Sequence, residues 1–172
     1  MAQTYGREVL GGSGRQVMVA VGSDAHWKTG GITLGWPLFE PAEDAVTLPD
    51  ETKVRAGQRY ARFGQIVCRV TDEESDHFGE YGPYDPAADD GREELRRGEC
   101  FILNETRVEG GVIAGLTGGV DMHPAVLDGG RVWKARLLAG GAGDPLAGTL
   151  AAGPTWEDFE AAFPRVEYVQ NR

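Results

Sequence analysis

The sequence has little positive charge. Lysine and arginine together number 17 against 27 aspartates and glutamates, which gives a formal net charge of −10 at pH 7. The basic pair Arg96–Arg97 is isolated among acidic neighbours such as Glu94 and Glu99. Because affinity for nucleic acid comes largely from clustered basic side chains, this composition predicts a protein that does not bind DNA or RNA.

Long hydrophobic runs are also missing. No apolar stretch approaches the ~18 residues that indicate a membrane-spanning helix. The first residues, MAQTYGREVLGGSGRQ, carry Arg7 and Glu8 where a signal peptide would be apolar. We therefore expect a soluble protein that is made in the cytoplasm and has no membrane partner.

Residues that often act as nucleophiles are scarce. The serines are Ser13, Ser23 and Ser75, and none of them lies in a G-x-S-x-G motif. The two cysteines, Cys68 and Cys100, lie in apolar, strand-like runs whose separation fits neither a zinc site nor a CxxC motif. They are predicted to be buried, reduced thiols. With no visible pairing of a nucleophile and a base, the sequence predicts that the protein is not an enzyme.

Potential metal ligands are present, but their spacing is unsuitable. The three histidines, His26, His77 and His123, each have an aspartate nearby, yet their separations match no ligand motif. We predict that they are surface residues in polar loops. The acidic loop Asp85–Asp90 differs from a calcium loop, because its oxygen-bearing residues alternate incorrectly and Pro86 stiffens it. No bound metal is expected.

Two glycine-rich runs match nucleotide-binding loops only in part. Gly12-x-Gly14 is followed by Val17 where a dinucleotide fingerprint has its third glycine. The run from Gly143 to Thr149 lacks the lysine that a P-loop uses to reach phosphates. No cofactor is therefore expected.

Glycine is what the sequence has in excess. It accounts for 26 of 172 residues, about twice its usual share of ~7%, and the absence of a triplet repeat indicates tight turns between short strands. In GQIVCRVT the apolar residues Ile66, Cys68 and Val70 alternate with the polar Gln65 and Arg69, which predicts a half-buried strand. The runs ECFILNETRV and RVWKARLL show similar patterns.

One helix is predicted near residues 155–163. Thr155 can cap its N-terminus, and Trp156, Phe159 and Phe163 fall on one apolar face. Pro164 ends the helix, and RVEYVQ is predicted to form a last strand.

Together these patterns predict a mainly β fold, a small sandwich-like or barrel-like body with one short C-terminal helix. Residues 1–55 differ from the rest, because the Gly11–Gly14 break and the run PLFEPAEDAVTLPDET interrupt short apolar pieces. We predict that 1–55 form an extended N-terminal arm and that 56–172 form the β-rich body.

The run YGPYDPAADDG is predicted to be a rigid turn. Pro83 and Pro86 each fix φ and disfavour helix at the preceding residue. Asp85 can accept a hydrogen bond from the backbone in an Asx turn, and Asp90–Gly91 suits a residue with positive φ. These properties explain the run without any chemistry.

The same run carries a resemblance to a known family. The strand GQIVCRVT, the loop Tyr84-Asp-Pro-Ala-Ala-Asp-Asp-Gly91, an Arg-x-x-Leu-x-x-Gly step and the strand ECFILN follow one another in this order. This order resembles the lambda-type head decoration proteins, the capsid cement proteins of tailed bacteriophages. HPAVLDGGRVWKARLL also looks like the closing hairpin of that family, and the resemblance covers roughly residues 55–138.

The resemblance implies a β-tulip-like body that binds the outer surface of a phage capsid and stabilises the lattice of the major capsid protein. It also implies a homotrimer, located on the virion exterior. The implied mechanism is strand addition by the arm together with apolar and aromatic docking. The candidate interface residues for the capsid or the trimer are Val17, Val19, Val21, Trp27, Ile32, Leu34, Trp36, Tyr81, Tyr84, Asp85 and Pro86.

Two other functions stay open. A small β-barrel module could bind a carbohydrate or a peptide through the aromatic residues Trp27, Trp36, Trp133 or Tyr84. A hydrolase built from Asp, Glu and His is the third alternative, although no arrangement of nucleophile and base is visible.

Overall fold

The computed structural model of the chain describes residues 26–48, 52–62, 64–110, 126–133, 137 and 156–169. Over these residues the protein is mainly β with one short α-helix, which confirms the predicted fold class. The strands are β1 (His26–Trp27), β2 (Val46–Thr47), β3 (Lys53–Val54), β4 (Tyr60–Ala61), β5 (Ile66–Arg69), β6 (Tyr81–Pro83), β7 (Cys100–Leu103), β8 (Arg107–Val108), β9 (Val126–Trp133) and β10 (Val166–Val169). The helix α1 spans Trp156–Ala162, and a 3-10 helix spans Trp36–Leu38.

A six-stranded sheet forms the centre of the protein. Its order is β1-β9-β7-β5-β6, and β10 joins the other half of β9. The β10–β9 pair is parallel, whereas the other pairs of this sheet are antiparallel. Two two-stranded ribbons, β2–β3 and β4–β8, complete the described strands. The predicted last strand is thus confirmed as β10.

The central strands are apolar on both sides. In β7 every residue of Cys100–Leu103 is buried, and in β5 Ile66, Val67 and Cys68 are each fully buried. Alternate residues of a strand point to opposite faces, so both faces of this sheet must be covered. The prediction of a half-buried strand over residues 65–70 is therefore wrong.

The C-terminal helix covers one face, which we call the helix face. Phe159 is fully buried there, and Phe163, just after the helix, is 2% exposed. Their burial confirms that the predicted helix has an apolar face. The helix face buries the cluster Ile66, Cys68, Tyr84, Cys100, Ile102, Leu127, Val132, Leu137, Phe159, Ala162, Phe163 and Val166.

A segment without strands or α-helix covers the opposite face, which we call the segment face. Residues 31–41 cross it and contribute Ile32, Leu34 and Phe39 to its core. Backbone hydrogen bonds tie this segment to the edge strand β6: Tyr81 N donates to Thr33 O at 2.9 Å, and Gly35 N donates to Tyr81 O at 3.0 Å. The segment face buries the cluster Ile32, Leu34, Phe39, Ala61, Val67, Tyr81, Phe101, Leu103 and Val126.

The described part of the predicted arm therefore belongs to the body. β1 pairs with β9 in the central sheet, and residues 31–41 bury apolar side chains that an extended arm would leave in water. The physical reason is that β5 and β7 present apolar side chains on both faces, and the segment supplies the second cover. Residues 1–25 lie outside the described part of the chain, and an arm over those residues stays a prediction.

Gln65, just before β5, is a polar residue that is only 1% exposed. Its side-chain oxygen accepts a hydrogen bond from Arg62 N at 2.9 Å, and its backbone oxygen accepts one from Leu103 N at 3.0 Å. These bonds replace the water that Gln65 loses on burial. Within the residues described here, no helix is long and apolar enough to cross a membrane.

Candidate interaction surface

The loop Tyr84–Arg92 begins at a fixed point in the core. Tyr84 is 3% exposed, and its backbone N–H donates to Ile66 O at 3.0 Å. Its ring meets the ring of Phe159 edge-on, with centroids 6.3 Å apart. The loop therefore leaves the sheet from an anchored aromatic residue.

The tip of the loop is an Asx turn. Asp85 Oδ1 accepts a hydrogen bond from Ala87 N at 2.9 Å, and Asp85 O accepts one from Ala88 N at 3.1 Å. This confirms the turn predicted for Asp85. Pro86, Ala87 and Asp89 are exposed, so the tip offers a rigid polar and aliphatic surface to solvent.

An ion pair closes the base of the loop. Arg92 Nε donates to both carboxylate oxygens of Asp90, at 3.0 and 2.9 Å, and the two side chains are only 12% and 15% exposed. Arg92 Nη1 also donates to Pro83 O at 3.3 Å, and Asp85 N donates to Arg92 O at 3.2 Å. Charge-assisted bonds at low exposure hold a loop more tightly than surface ion pairs do.

Gly91 makes the close approach of the loop to β5 feasible. Its φ is +103°, and a Cβ built there would overlap Thr71 Oγ1 and lie 3.1 Å from Thr71 N. The neighbouring Asp90 O accepts hydrogen bonds from Thr71 N at 2.8 Å and Asp72 N at 3.2 Å. The prediction that Asp90–Gly91 provides a positive φ is confirmed, and space as well as φ requires glycine here.

The 3-10 helix Trp36–Leu38 lies beside the loop base. A Cβ on Gly82 would stand 2.8 Å from Leu38 Cδ1 and 2.9 Å from Arg92 Cδ, so both side chains pass directly over this glycine. Trp36 is half-buried against Phe39, with ring centroids 5.6 Å apart, and Pro37 is exposed. Through Leu38 and Arg92 the 3-10 helix and the loop become parts of one surface.

We call this the loop surface, and its exposed or half-buried residues are Trp36, Pro37, Asp85, Pro86, Ala87 and Asp89. Rigid aromatic and proline residues lose little conformational entropy when they are covered, so such a surface is suited to protein contact. This is the best-formed exposed feature among the predicted interface residues.

The structure accounts differently for the other predicted interface residues. Val17, Val19 and Val21 lie outside the described residues, and only the backbone of Trp27 is described, in β1. Ile32, Leu34, Tyr81 and Tyr84 are buried in the two cores, with exposed fractions from 3% to 9%. They contact this chain and are not exposed to a partner in this conformation, so an interface role for them stays a prediction.

The two buried tyrosines are held in the neutral form. Burial raises the pKa of Tyr84 to about 12, with smaller contributions from the neighbouring thiols and carboxylates. Burial also raises the pKa of Tyr81, and the nearby Glu99 adds to that effect. Both phenols therefore act as packing groups at neutral pH, and Tyr84 offers no exposed ring on which a sugar could stack.

Cys68 and Cys100 are buried, free thiols, as predicted. They face each other across β5 and β7, where Cys68 pairs with Cys100 in the register. Burial raises the pKa of Cys68 well above its ordinary value, and the adjacent Cys100 raises it further. Since the thiolate is the reactive form, Cys68 is a weak nucleophile here.

Of the three histidines, His77 is the one whose side chain the structure describes. His77 Nδ1 lies 2.8 Å from Glu80 Oε2 in the turn between β5 and β6. His26 belongs to strand β1, which corrects its prediction as a loop residue, and His123 lies outside the described residues. Where side chains are described, no group of three or more His, Cys, Asp or Glu is placed to hold a metal ion.

Sequence reasoning missed two parts of the loop surface. In the sequence Arg92 belongs only to a spacing pattern, although its pairing with Asp90 fixes the loop. The support from Leu38 does not follow from a prediction that places residues 1–55 in an arm. The run ECFIL contains the signal for this support, because its consecutive residues are apolar. A strand that is apolar on both faces requires a second layer over the sheet.

Comparisons with known proteins identified no relative: no family model, no curated protein and no solved structure matches the chain.

Proposed function

We propose that this protein is a non-enzymatic decoration protein that binds the outer surface of a tailed-phage capsid and stabilises the lattice of the major capsid protein. The proposal starts from the order of motifs in residues 64–104 that resembles the phage decoration proteins. The observation that carries it is the loop surface. The loop in the resembling segment is clamped at its base by Asp90–Arg92 and presents an exposed, rigid tip.

The geometry supports a binding role for this loop. Its polar groups satisfy one another, since Asp85 serves the Asx turn and Asp90 serves Arg92 and two backbone amides. A loop that is already ordered pays little entropy when a partner covers it. The proposed capsid contact therefore consists of the loop tip and the neighbouring Trp36–Pro37 step.

The proposed mechanism differs from strand addition by residues 1–55. The segment from β1 to β3 is already paired or packed within the body, so any arm consists of residues 1–25 alone. In the proposed homotrimer, three loop surfaces would bind the lattice together, and this multivalency would strengthen weak single contacts. The acidic composition suits a particle exterior, where solubility matters and contact with DNA does not.

The test is co-sedimentation with undecorated capsid shells of the phage that encodes the protein. Wild-type protein should pellet with the shells, and a double change of the loop surface, Trp36→Ala with Pro86→Gly, should bind at least about ten-fold more weakly, as expected for the loss of an aromatic anchor. Val46→Ala is the matched control, because Val46 is 39% exposed and belongs to the β2–β3 ribbon.

Thermal unfolding of each variant checks that the fold is retained. Binding by the double variant equal to that of wild type would move the interface away from the loop surface. Failure of the wild-type protein to bind would overturn the proposed function.

A further inference from the structure

A cleft of about 430 Å³ opens at the end of the sheet that lies near the turn after α1. Its charged lining residues are three basic side chains, Lys28, Arg97 and Arg165, and one acidic side chain, Asp128. The chain has a net charge of −10, so three basic side chains around one cleft form a local excess of positive charge. Such an excess of positive charge attracts anionic groups.

The three basic residues come from separate parts of the chain, and backbone hydrogen bonds hold Lys28, Arg165 and the residue before Arg97. Lys28 follows β1, and its N–H donates to Val126 O at 3.1 Å. Arg97 lies in the turn before β7, where Glu99 N donates to Arg96 O at 3.1 Å. Arg165 lies between α1 and β10, and its carbonyl accepts from Gly130 N at 3.0 Å.

The charged residues of the cleft differ in the contacts that they already make within the protein. Lys28 Nζ donates to Gly31 O at 3.1 Å and lies 5.6 Å from the centroid of the Phe101 ring. Arg165 Nη1 is 3.7 Å from Asp128 Oδ2, and its side chain is 59% exposed. Arg97 is exposed and forms no ion pair with another residue of the described ranges. Arg97 and Arg165 can therefore turn toward a bound anion without losing a buried contact.

Asp128 determines a second group that a ligand of the cleft should carry. Its Oδ1 atom is buried and has no hydrogen-bond partner among the described residues. Since Oδ1 is out of reach while the side chain is 36% exposed, Oδ2 is the oxygen that a ligand can reach, and an N–H or O–H group brought to it gains a charge-assisted hydrogen bond. The same carboxylate repels a compact anion that carries no donor, such as fully ionised phosphate.

The lining of the cleft is mainly polar, with a small apolar part. Phe101 and Phe163 line the cleft and are 4% and 2% exposed. The cleft volume is within the range of about 300–1,000 Å³ that is usual for small-ligand sites. A ligand that fits has carboxylates for the basic side chains, an N–H donor for Asp128 and short aliphatic stems for the small apolar part.

We propose that this cleft binds an acidic peptide segment of a protein partner, with glutamate or aspartate side chains on Arg97 and Arg165 and a backbone N–H on Asp128. Glutamate combines a carboxylate with an aliphatic stem, and a peptide supplies the amide donors. The proposal concerns a surface apart from the loop surface, and it does not depend on capsid binding.

Titration calorimetry of the full chain with a capped tetrapeptide, acetyl-Glu-Leu-Glu-Leu-amide, tests the proposal. The glutamine counterpart, acetyl-Gln-Leu-Gln-Leu-amide, and inorganic phosphate serve as the two comparison probes. We expect the glutamate peptide to bind more tightly than either. Arg97→Ser and Arg165→Ser should each weaken its binding about two- to five-fold, as expected for exposed ion pairs.

Arg96→Ser is the matched control, because Arg96 is the exposed neighbour of Arg97, changes the net charge equally and pairs with Glu94 outside the cleft. This variant should bind like wild type. Three results would overturn the proposal: no binding of the glutamate peptide at millimolar concentration, equal binding of the glutamine peptide, or equal weakening by Arg96→Ser. Phosphate that binds at least as tightly as the glutamate peptide would also overturn it, in favour of a simple anion site.

Discussion

The two faces of the central sheet are covered in different ways. On the helix face, α1 places Phe159 over the sheet in a regular element whose apolar spacing is visible in the sequence. On the segment face, Ile32, Leu34 and Phe39 are spread along a stretch that contains only one short 3-10 helix. The two faces are nevertheless buried to a comparable extent. An irregular, glycine- and proline-rich segment can therefore form a structural layer.

The difference has a physical basis in hydrogen bonding. The helix satisfies its backbone groups internally, whereas the segment uses the edge strand β6, through the bonds between Tyr81 and residues Thr33 and Gly35. The segment thus covers an apolar face and an exposed strand edge at once, and both are surfaces that favour aggregation when they are left open.

Truncation of the N-terminal residues should have the largest effect on stability. Removal of residues 1–41 deletes β1 and the apolar cover Ile32, Leu34 and Phe39, so the remaining chain should lose cooperative unfolding. If residues 1–25 form an arm, as the sequence predicts, their removal should preserve the fold. Circular dichroism during thermal unfolding measures both. A cooperative transition in the shorter chain, 42–172, would show that the segment is not a structural layer.

Single core changes compare the faces directly. Phe159→Ala on the helix face and Phe39→Ala on the segment face should each cost about 3–5 kcal/mol of unfolding free energy, since both rings are at most 3% exposed. Val46→Ala, at an exposed position, should change stability by less than about 0.5 kcal/mol. Urea denaturation gives the values, and a Phe39→Ala effect as small as that of Val46→Ala would refute the equivalence of the faces.

The loop surface depends on support from both layers. Alanine substitutions at Gly91 and Gly98 test how closely the loop packs against its surroundings. Gly91→Ala should cost about 2–3 kcal/mol, because the new Cβ adds overlap with Thr71 to the strain of a positive φ. Gly98→Ala carries the strain alone, with φ +82° and no atom within 4 Å, and should cost about 1 kcal/mol. Equal losses of stability in urea would mean that Thr71 does not restrict the loop.

Alkaline pH should destabilise the helix face through Tyr84. The folded pKa of Tyr84, about 12, is above the ordinary value of 10, so the folded state holds this proton more tightly than the unfolded state does. The resulting stabilisation is complete below pH 10 and is lost as the pH rises toward 12. Tyr84→Phe keeps the ring and removes the titration, so urea midpoints of this variant should fall less steeply between pH 10 and 12. Identical slopes would contradict the burial of this phenol.

Much of the fold could be predicted from local sequence signals. The mainly β class, the helix near 155–163, the last strand and the turn chemistry of Asp85 and Gly91 all follow from residue spacing and conformational preference. These features depend on neighbours within a few positions of the chain. They could therefore be inferred without knowing the tertiary structure.

The segment face and the clamp of Asp90 by Arg92 could not be predicted in the same way. The buried residues Ile32, Leu34 and Phe39 have no helical or strict strand period, so they show no pattern of their own. Because Gln65 is polar, the sequence predicts that the strand after it is half-buried. The hydrogen bonds of Gln65 nevertheless allow this side chain to be buried. Such features depend on partners distant in the sequence, which only the assembled sheet brings together.

Native-state hydrogen exchange at the amide of Gly35 tests the central claim, that residues 31–41 are a structural layer of the sheet. This amide donates to Tyr81 O at 3.0 Å, so its protection reports directly on the pairing of the segment with β6. The account predicts protection within about ten-fold of that of Val67 in β5, because both amides then open in the same cooperative unit. Exchange of Gly35 at the rate of an unstructured peptide, while Val67 stays protected, would contradict it.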